Sequence, residues 1–158
     1  LKRSPGFAII SSAIILLSSY VLWEWYLSPG ARVRRTLESA AAAAERADVE
    51  AFLSHFASDY SDFMHPDRTG FEAMVRESFA RIERLNVTLK SFEVVVEGDQ
   101  SRARLDAVVV AIRGEERYVV LGTPFEPEKL EVELSREKGR WKIRRVGRAG
   151  PVSGPVSK

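Results

Sequence analysis

Side chains able to move a proton near neutral pH crowd into one stretch of this chain: His55, Asp59, Tyr60, Asp62 and His65, with Asp106 and Tyr118 farther on. A phenol and a carboxylate held in unlike environments form an acid–base pair. Tyr60 with one of these carboxylates is therefore the pair through which any pocket here would work. The same residues have plainer roles, since Asp59 and Asp62 sit where turns favour aspartate and His55 reads as a helix-surface residue. Neither histidine has a ligand partner at metal spacing, no glycine-rich loop opens a helix after a strand, and no nucleophile elbow is present. Cysteine is absent, which removes disulfides, thiolate ligands and thiol nucleophiles. The residues assign no catalytic, cofactor-binding or metal-ligating set, so the expectation is a chain that is not an enzyme and carries no cofactor.

The elements that would position these residues are legible in the periodicity. Ser28 as N-cap and Pro29 at N1 start a helix with Val33, Leu37, Ala40, Ala41 and Ala44 on its apolar stripe. Asp48 caps a second helix through Ala51, Phe52, His55 and Phe56, and Ser58 to Asp62 then reads as a polar turn. Thr69 and Glu72 form a capping box for a third helix, buried through Phe71, Met74, Val75, Phe79 and Ile82. After Leu85 the pattern changes to five strands, around Phe92–Val96, Leu105–Ile112, Tyr118–Leu121, Leu130–Leu134 and Trp141–Val146. Gly98-Asp99, Gly114-Glu115 and Lys138-Gly139 supply turns. Val87 and Leu89 are in one phase and Val94 and Val96 in the other, which predicts a bulge that curves the sheet. Asp106 faces inward if Val108, Val110 and Ile112 do, and faces water if Ala103, Leu105, Ala107 and Val109 are the buried set. Glu131 and Glu133 are placed to neutralise Lys142 and Arg144 across a hairpin.

The 158 residues carry a formal charge of only +2, so the sequence pI of about 9.1 does not amount to the uniform positive field that nucleic acid requires. From Phe7 to Leu27 the chain is apolar apart from Glu24, long enough to cross ~30 Å of hydrocarbon as a helix. Trp23, Trp25 and Tyr26 mark its membrane-interface end. Ala8, Ser11, Ser12, Ser18 and Ser19 form a small-residue face that another helix could pack against. The organisation expected is an N-terminal tail and transmembrane helix over 1–28, one domain over 29–148 and an extended Gly/Pro/Ser/Val tail over 149–158. Lys2 and Arg3 before the span nearly balance Arg32, Arg34 and Arg35 after it, so it is the short tail and the signal-anchor form that place the domain on the extracytoplasmic side, here of a bacterial inner membrane.

The order of three helices before a curved antiparallel meander resembles the nuclear transport factor 2-like superfamily, with its ketosteroid isomerase, scytalone dehydratase and polyketide-cyclase relatives. Arg46 to Leu53 and Phe56 to Tyr60 are similar to that family's aspartate-led second helix and acidic-aromatic turn. Val94 to Ala103 and Gly139 to Ile143 resemble its first hairpin and last strand. The resemblance implies an α+β cone enclosing a pocket lined by some of Phe56, Tyr60, Phe63, Met64, Phe71, Met74 and Trp141. It also implies that a homodimer through the open sheet face is possible. His65-Pro66-Asp67 repeats the tripeptide of J-domains, but the acidic stretch before it and the five strands after it have no place in that fold. The reading that follows is a noncatalytic, membrane-anchored accessory subunit that stabilises a larger photosynthetic or respiratory complex, with membrane lipid and integral-membrane subunits as partners. The alternative is a small-molecule enzyme or ligand-binding domain that uses the cone.

Overall fold

The structure, a computed structural model, describes residues 28–62, 65 and 67–150. Helix α1 (Pro29–Glu45) begins as its sequence dictates, with the Ala31 amide donating to Ser28 Oγ at 3.2 Å and proline at the first position. Its buried face is Val33, Leu37, Ala40, Ala43 and Ala44. Alanine on that face lets the helix lie close along strand β2 (Arg84–Glu97), and the Arg34 guanidinium covers the Phe92 ring at 4.9 Å. At the far end Glu45 accepts the Val87 amide at 2.9 Å, which ties the helix to that strand's first half.

Helix α2 (Val49–Leu53) is capped by Asp48 and stops at Leu53, short of the extent expected through Phe56. The His55 carbonyl takes the Ile143 amide at 2.8 Å, and this bond turns the chain onto the edge of strand β6 (Arg140–Arg148). The stretch expected to be a turn is therefore strand β1 (Phe56–Asp62), paired parallel to β6. Turn-forming residues are tolerated there because a sheet edge offers β1 hydrogen bonds on one side and water on the other. Helix α3 (Arg68–Arg81) also differs at its start, because Asp67 rather than Thr69 is the N-cap and accepts the Gly70 amide at 2.7 Å.

The remaining strands are β3 (Gln100–Arg113), β4 (Glu116–Leu121) and β5 (Glu128–Glu137). Their order is β1-β6-β5-β3-β2, with β4 beside β3, so the sheet is mixed and six-stranded where an antiparallel sheet of five was expected. The predicted bulge is present: Ser91 has φ +56° and the β2–β3 register breaks between Lys90 and Glu93. Both phases of β2 thereby send their apolar residues toward the helices. On β3 the buried set is Ala103, Leu105, Ala107 and Ala111, so Asp106 lies on the outer face, opposite Lys90 and Lys129.

The outer-face ion pairs are not those the sequence suggested. Glu131 meets Arg104 at 2.9 Å and Arg102 at 3.6 Å, while Arg144 reaches Asp59 at 2.7 Å and Lys142 donates to the Ser54 carbonyl. β3 intervenes between β2 and β5 and supplies the nearer arginines. None of the helices among the described residues is long and apolar enough to cross a membrane. The expected span Phe7–Leu27, with its serine face and its Trp23, Trp25 and Tyr26 rim, lies outside the described residues, as does the tail from Pro151.

Between β4 and β5 the chain passes Gly122, at φ +58°, where a Cβ would lie 2.5 Å from the Glu128 nitrogen and 2.6 Å from the Ala107 oxygen. Gly114 also has φ +60°, but nothing lies within 4 Å of its absent Cβ. Urea unfolding should show Gly122→Ala losing at least about 2 kcal/mol, because backbone must move, while Gly114→Ala loses about 1 kcal/mol from conformational strain alone.

Candidate active site

Strand β1 is irregular, and the irregularity builds the site. Phe56 and Ala57 are both buried, Ser58 and Asp59 are exposed, and Tyr60 is buried again. The register with β6 slips between Phe56 and Ser61. Carbonyls freed by such a slip need donors, since an unpaired buried carbonyl costs about 1–3 kcal/mol. Arg68, the first residue of α3, supplies them. Its Nη1 donates to the Phe56 and Ala57 carbonyls at 2.8 and 2.6 Å, its Nη2 to Leu53 O at 3.4 Å, and its Nε to Glu72 at 2.6 Å.

Held this way, Tyr60 points into an aromatic cluster. Its ring lies 4.8 Å from Phe56 in an edge contact and 4.4 Å from Phe71, and Phe52 and Phe79 continue the cluster. The Tyr60 hydroxyl, at the rim, donates to Asp62 Oδ2 at 3.1 Å. The same carboxylate accepts the His65 backbone amide at 2.5 Å and lies 3.2 Å from His65 Nδ1 through each of its oxygens. The Asp62 amide returns a bond to the His65 carbonyl at 2.9 Å, so the two residues close a small ring. The Asp62 side chain is 10% exposed and that of His65 19%, a position sheltered from bulk water.

This geometry sorts the candidate residues. It joins Tyr60, Asp62 and His65 and leaves the others apart. Asp59 is exposed and paired with Arg144. Asp106 lies on the outer face. Tyr118 sits on β4, bonded to Glu116. His55 is half-buried at the end of α2, and burial, reinforced by the nearby Lys142 charge, lowers its pKa. Of the residues expected to line a pocket, Phe56, Tyr60, Phe71 and Trp141 are buried in the core, Met74 packs against it, and Phe63 and Met64 lie outside the described residues. Trp141 carries a buried indole N–H that has no hydrogen-bond partner among the described residues, an uncommon condition for a buried donor. Arg68 was not singled out from sequence. The available signal was an arginine directly after an N-cap aspartate, where a long side chain can fold back over the preceding turn.

Burial above all, then the Asp62 charge and its hydrogen bond, push the Tyr60 phenol well above its ordinary value of 10.0. Tyr60 is thus a neutral hydrogen-bond donor throughout the physiological range. With Nδ1 turned to Asp62, His65 Nε2 is the ring nitrogen that Asp62 does not engage.

Residues 27–147 match the family described as the SnoaL-like domain. The chain is similar in structure to a candidate aromatic ring hydroxylase from Novosphingobium aromaticivorans, at 19% identity, TM-score 0.65 and coverage of 77% of this chain and 90% of the other. A candidate scytalone dehydratase from the same organism aligns at 11% identity and TM-score 0.64, over 77% of this chain and 91% of that one. A candidate dehydratase of the nuclear transport factor 2-like family from Streptomyces avermitilis aligns at 16% identity and TM-score 0.61, over 76% and 95%. At these identities the likeness is one of fold. No curated protein matches the sequence. The family match and the names of these neighbours overturn two expectations, that the chain is a noncatalytic subunit of a membrane complex and that it is not an enzyme. They point to the enzyme or ligand-binding alternative. The segment read as a turn is a strand, and it brings Tyr60 and Asp62 beside His65, which spacing alone did not show.

The raised Tyr60 pKa has a measurable consequence. A folded-state pKa above the unfolded value means that the stability contributed by the neutral phenol is complete below pH 10 and declines as pH rises past it. Chemical denaturation across that range should show this decline in the wild type, and Tyr60→Phe should remove the Tyr60 component. Arg68→Met should cost about 2–3 kcal/mol in the same assay at neutral pH, because it strands the carbonyls of β1.

Proposed function

Because this chain belongs to the SnoaL-like domain family, we propose that it is a small-molecule acid–base enzyme, of the lyase, isomerase or cyclase kind, acting on a ring-bearing carbonyl compound. The observation that carries this reading is the shared carboxylate: Tyr60 Oη and His65 Nδ1 both face Asp62. Tyr60 donates a hydrogen bond to the substrate's carbonyl oxygen as negative charge develops there. Asp62 fixes the orientation of the His65 ring, and His65 Nε2 removes the proton from the carbon next to the carbonyl. Loss of a neighbouring hydroxyl, return of the proton elsewhere, or attack on a second carbonyl would complete a dehydration, an isomerisation or a ring closure. The aromatic rings of Phe56 and Phe71 offer an apolar wall to the substrate ring, and the unpartnered Trp141 indole N–H offers a second donor in the interior of the cone.

As part of the same proposal, Phe7–Leu27 tethers the domain to a bilayer on its extracytoplasmic side. The support is the length and apolarity of that run. An alkaline carbonate wash should leave the full chain in the membrane fraction, and release would refute the tether.

Proton abstraction can be measured without knowing the product. Cyclic ketones and hydroxylated aromatic ketones incubated with the protein in deuterated water should exchange the hydrogen beside the carbonyl, read by NMR. Asp62→Asn and His65→Gln should each slow this exchange by about 10²–10⁴-fold, and Tyr60→Phe by about 10²-fold, with unchanged circular dichroism. Exchange equal in wild type and His65→Gln, or no exchange across the panel, would overturn the assignment.

A further inference from the structure

Strands β4 and β5 lie in one column of the sheet. Both run antiparallel to β3 on the side away from β2, β4 against Val109 to Arg113 and β5 against Gln100 to Ala107. Residues Gly122 to Pro127 leave that column and return to it, pinched at Gly122, close against the Glu128 nitrogen and the Ala107 oxygen. The next column is filled by β6 beside β5, but beside β4 it is empty: among the described residues no strand takes β4's other edge. From Tyr118 to Leu121 that edge carries neither charge nor proline, and Val119 and Val120 are 60% and 58% exposed. Sheet edges of this kind are ordinarily covered or guarded.

We propose that the chain's own C-terminal segment, 151–158, fills the empty column as a further antiparallel strand on β4. The described chain points there. Pairing continues past the end of β6, where the Ala149 amide donates to the Lys129 carbonyl at 2.8 Å, and Lys129 and Glu128 stand opposite Asp106 and Ala107 on β3. Gly150 therefore comes level with Glu128, the first residue of β5, and the chain heads along the empty column toward Leu121 and then Glu116. At about 3.3 Å per residue, the six positions of β4 need six residues of partner. The segment from Pro151 to Lys158 is long enough to supply them.

The spacing of proline and valine sets the phase. Pro151 and Pro155 are four apart, as are Val152 and Val156, so in a strand the prolines share one side and the valines the other. Arg113 and Glu116 close a two-residue hairpin and bond to each other, which turns the amides of Arg117 and Val119 to the free edge and their side chains to the outer face of the sheet. A straight continuation from Ala149 would aim each proline nitrogen at that edge, where it has no hydrogen to give. A one-residue bulge at Gly150, a residue suited to it, turns the prolines to the outside, where an edge strand tolerates them. It also aims the amides of Gly154 and Val156 at β4 and sets Val152 and Val156 on the face that Val119 occupies. One slip thereby satisfies the backbone and covers the apolar edge, and the outward prolines withhold donors from any further strand.

The test compares the full-length chain, in mild detergent, with a form that stops after Gly150 and so keeps every described element. Hydrogen–deuterium exchange at the Arg117 and Val119 amides should be at least about tenfold faster in the shortened form, with β2 and β5 unchanged. Equal exchange in the two forms overturns the proposal and leaves the edge to a different protein. The pairing has its own probe, because the chain has no cysteine. Val156→Cys and Arg117→Cys in one chain would stand about 5.5 Å apart between Cα atoms, within disulfide reach, and should close a bond within that chain on mild oxidation, whereas Val156→Cys with Val95→Cys should not. A bond that forms only between chains, or none at all, overturns the pairing. Should the shortened form fail to fold, the disulfide decides alone.

Discussion

A parallel edge strand that slips in register leaves carbonyl groups aimed at no amide, and the five-donor guanidinium of Arg68 is what receives them. Its fork reaches the carbonyls of Phe56, Ala57 and Leu53, and its third nitrogen is held by Glu72. Lysine could not do this, having one point charge and no planar fork. Much follows from the contact. It joins the end of α2, the start of β1 and the first turn of α3, three elements brought to one corner of the cone. Without it the carbonyls of Phe56, Ala57 and Leu53 would lose these donors.

The polar cluster is a consequence of that irregularity. Asp62 sits two residues beyond Tyr60 and three before His65, and its carboxylate receives bonds from both. The aromatic cluster behind Tyr60 excludes water, so its phenol stays protonated. The same rings that form the core thereby set the chemistry at its rim.

The two faces of the sheet do different work. The inner face is closed by helices lined with alanine, valine and phenylalanine. The outer face is a lattice of alternating charges beside a patch of valine. Near-zero total charge, read from composition, argues only against a polyanion.

Local signals in the chain were sufficient for the cap at Ser28, the cap at Asp48, the stripe of α1, the turns at Gly98, Gly114 and Lys138-Gly139, and the bulge near Ser91. Each depends on residues within a few positions of one another, whereas the period of two left both faces open to Asp106, and the burial of Ala103, Leu105 and Ala107 decided it. Tertiary structure decided what depends on distant partners. Ser58 to Asp62 has turn composition, and only the free edge of β6, some eighty residues later, makes it a strand. Thr69 and Glu72 have the composition of a capping box, yet Asp67 takes the cap while Glu72 holds Arg68. The ion pairs of Glu131 and Glu133 were assigned from sequence to the next strand, but the sheet order places β3 against β5 and gives those carboxylates to Arg102 and Arg104. A hydrogen-bond donor or charge has no sequence-encoded address beyond its own turn of chain, because its partner is whichever complementary group the closed sheet brings within about 3 Å.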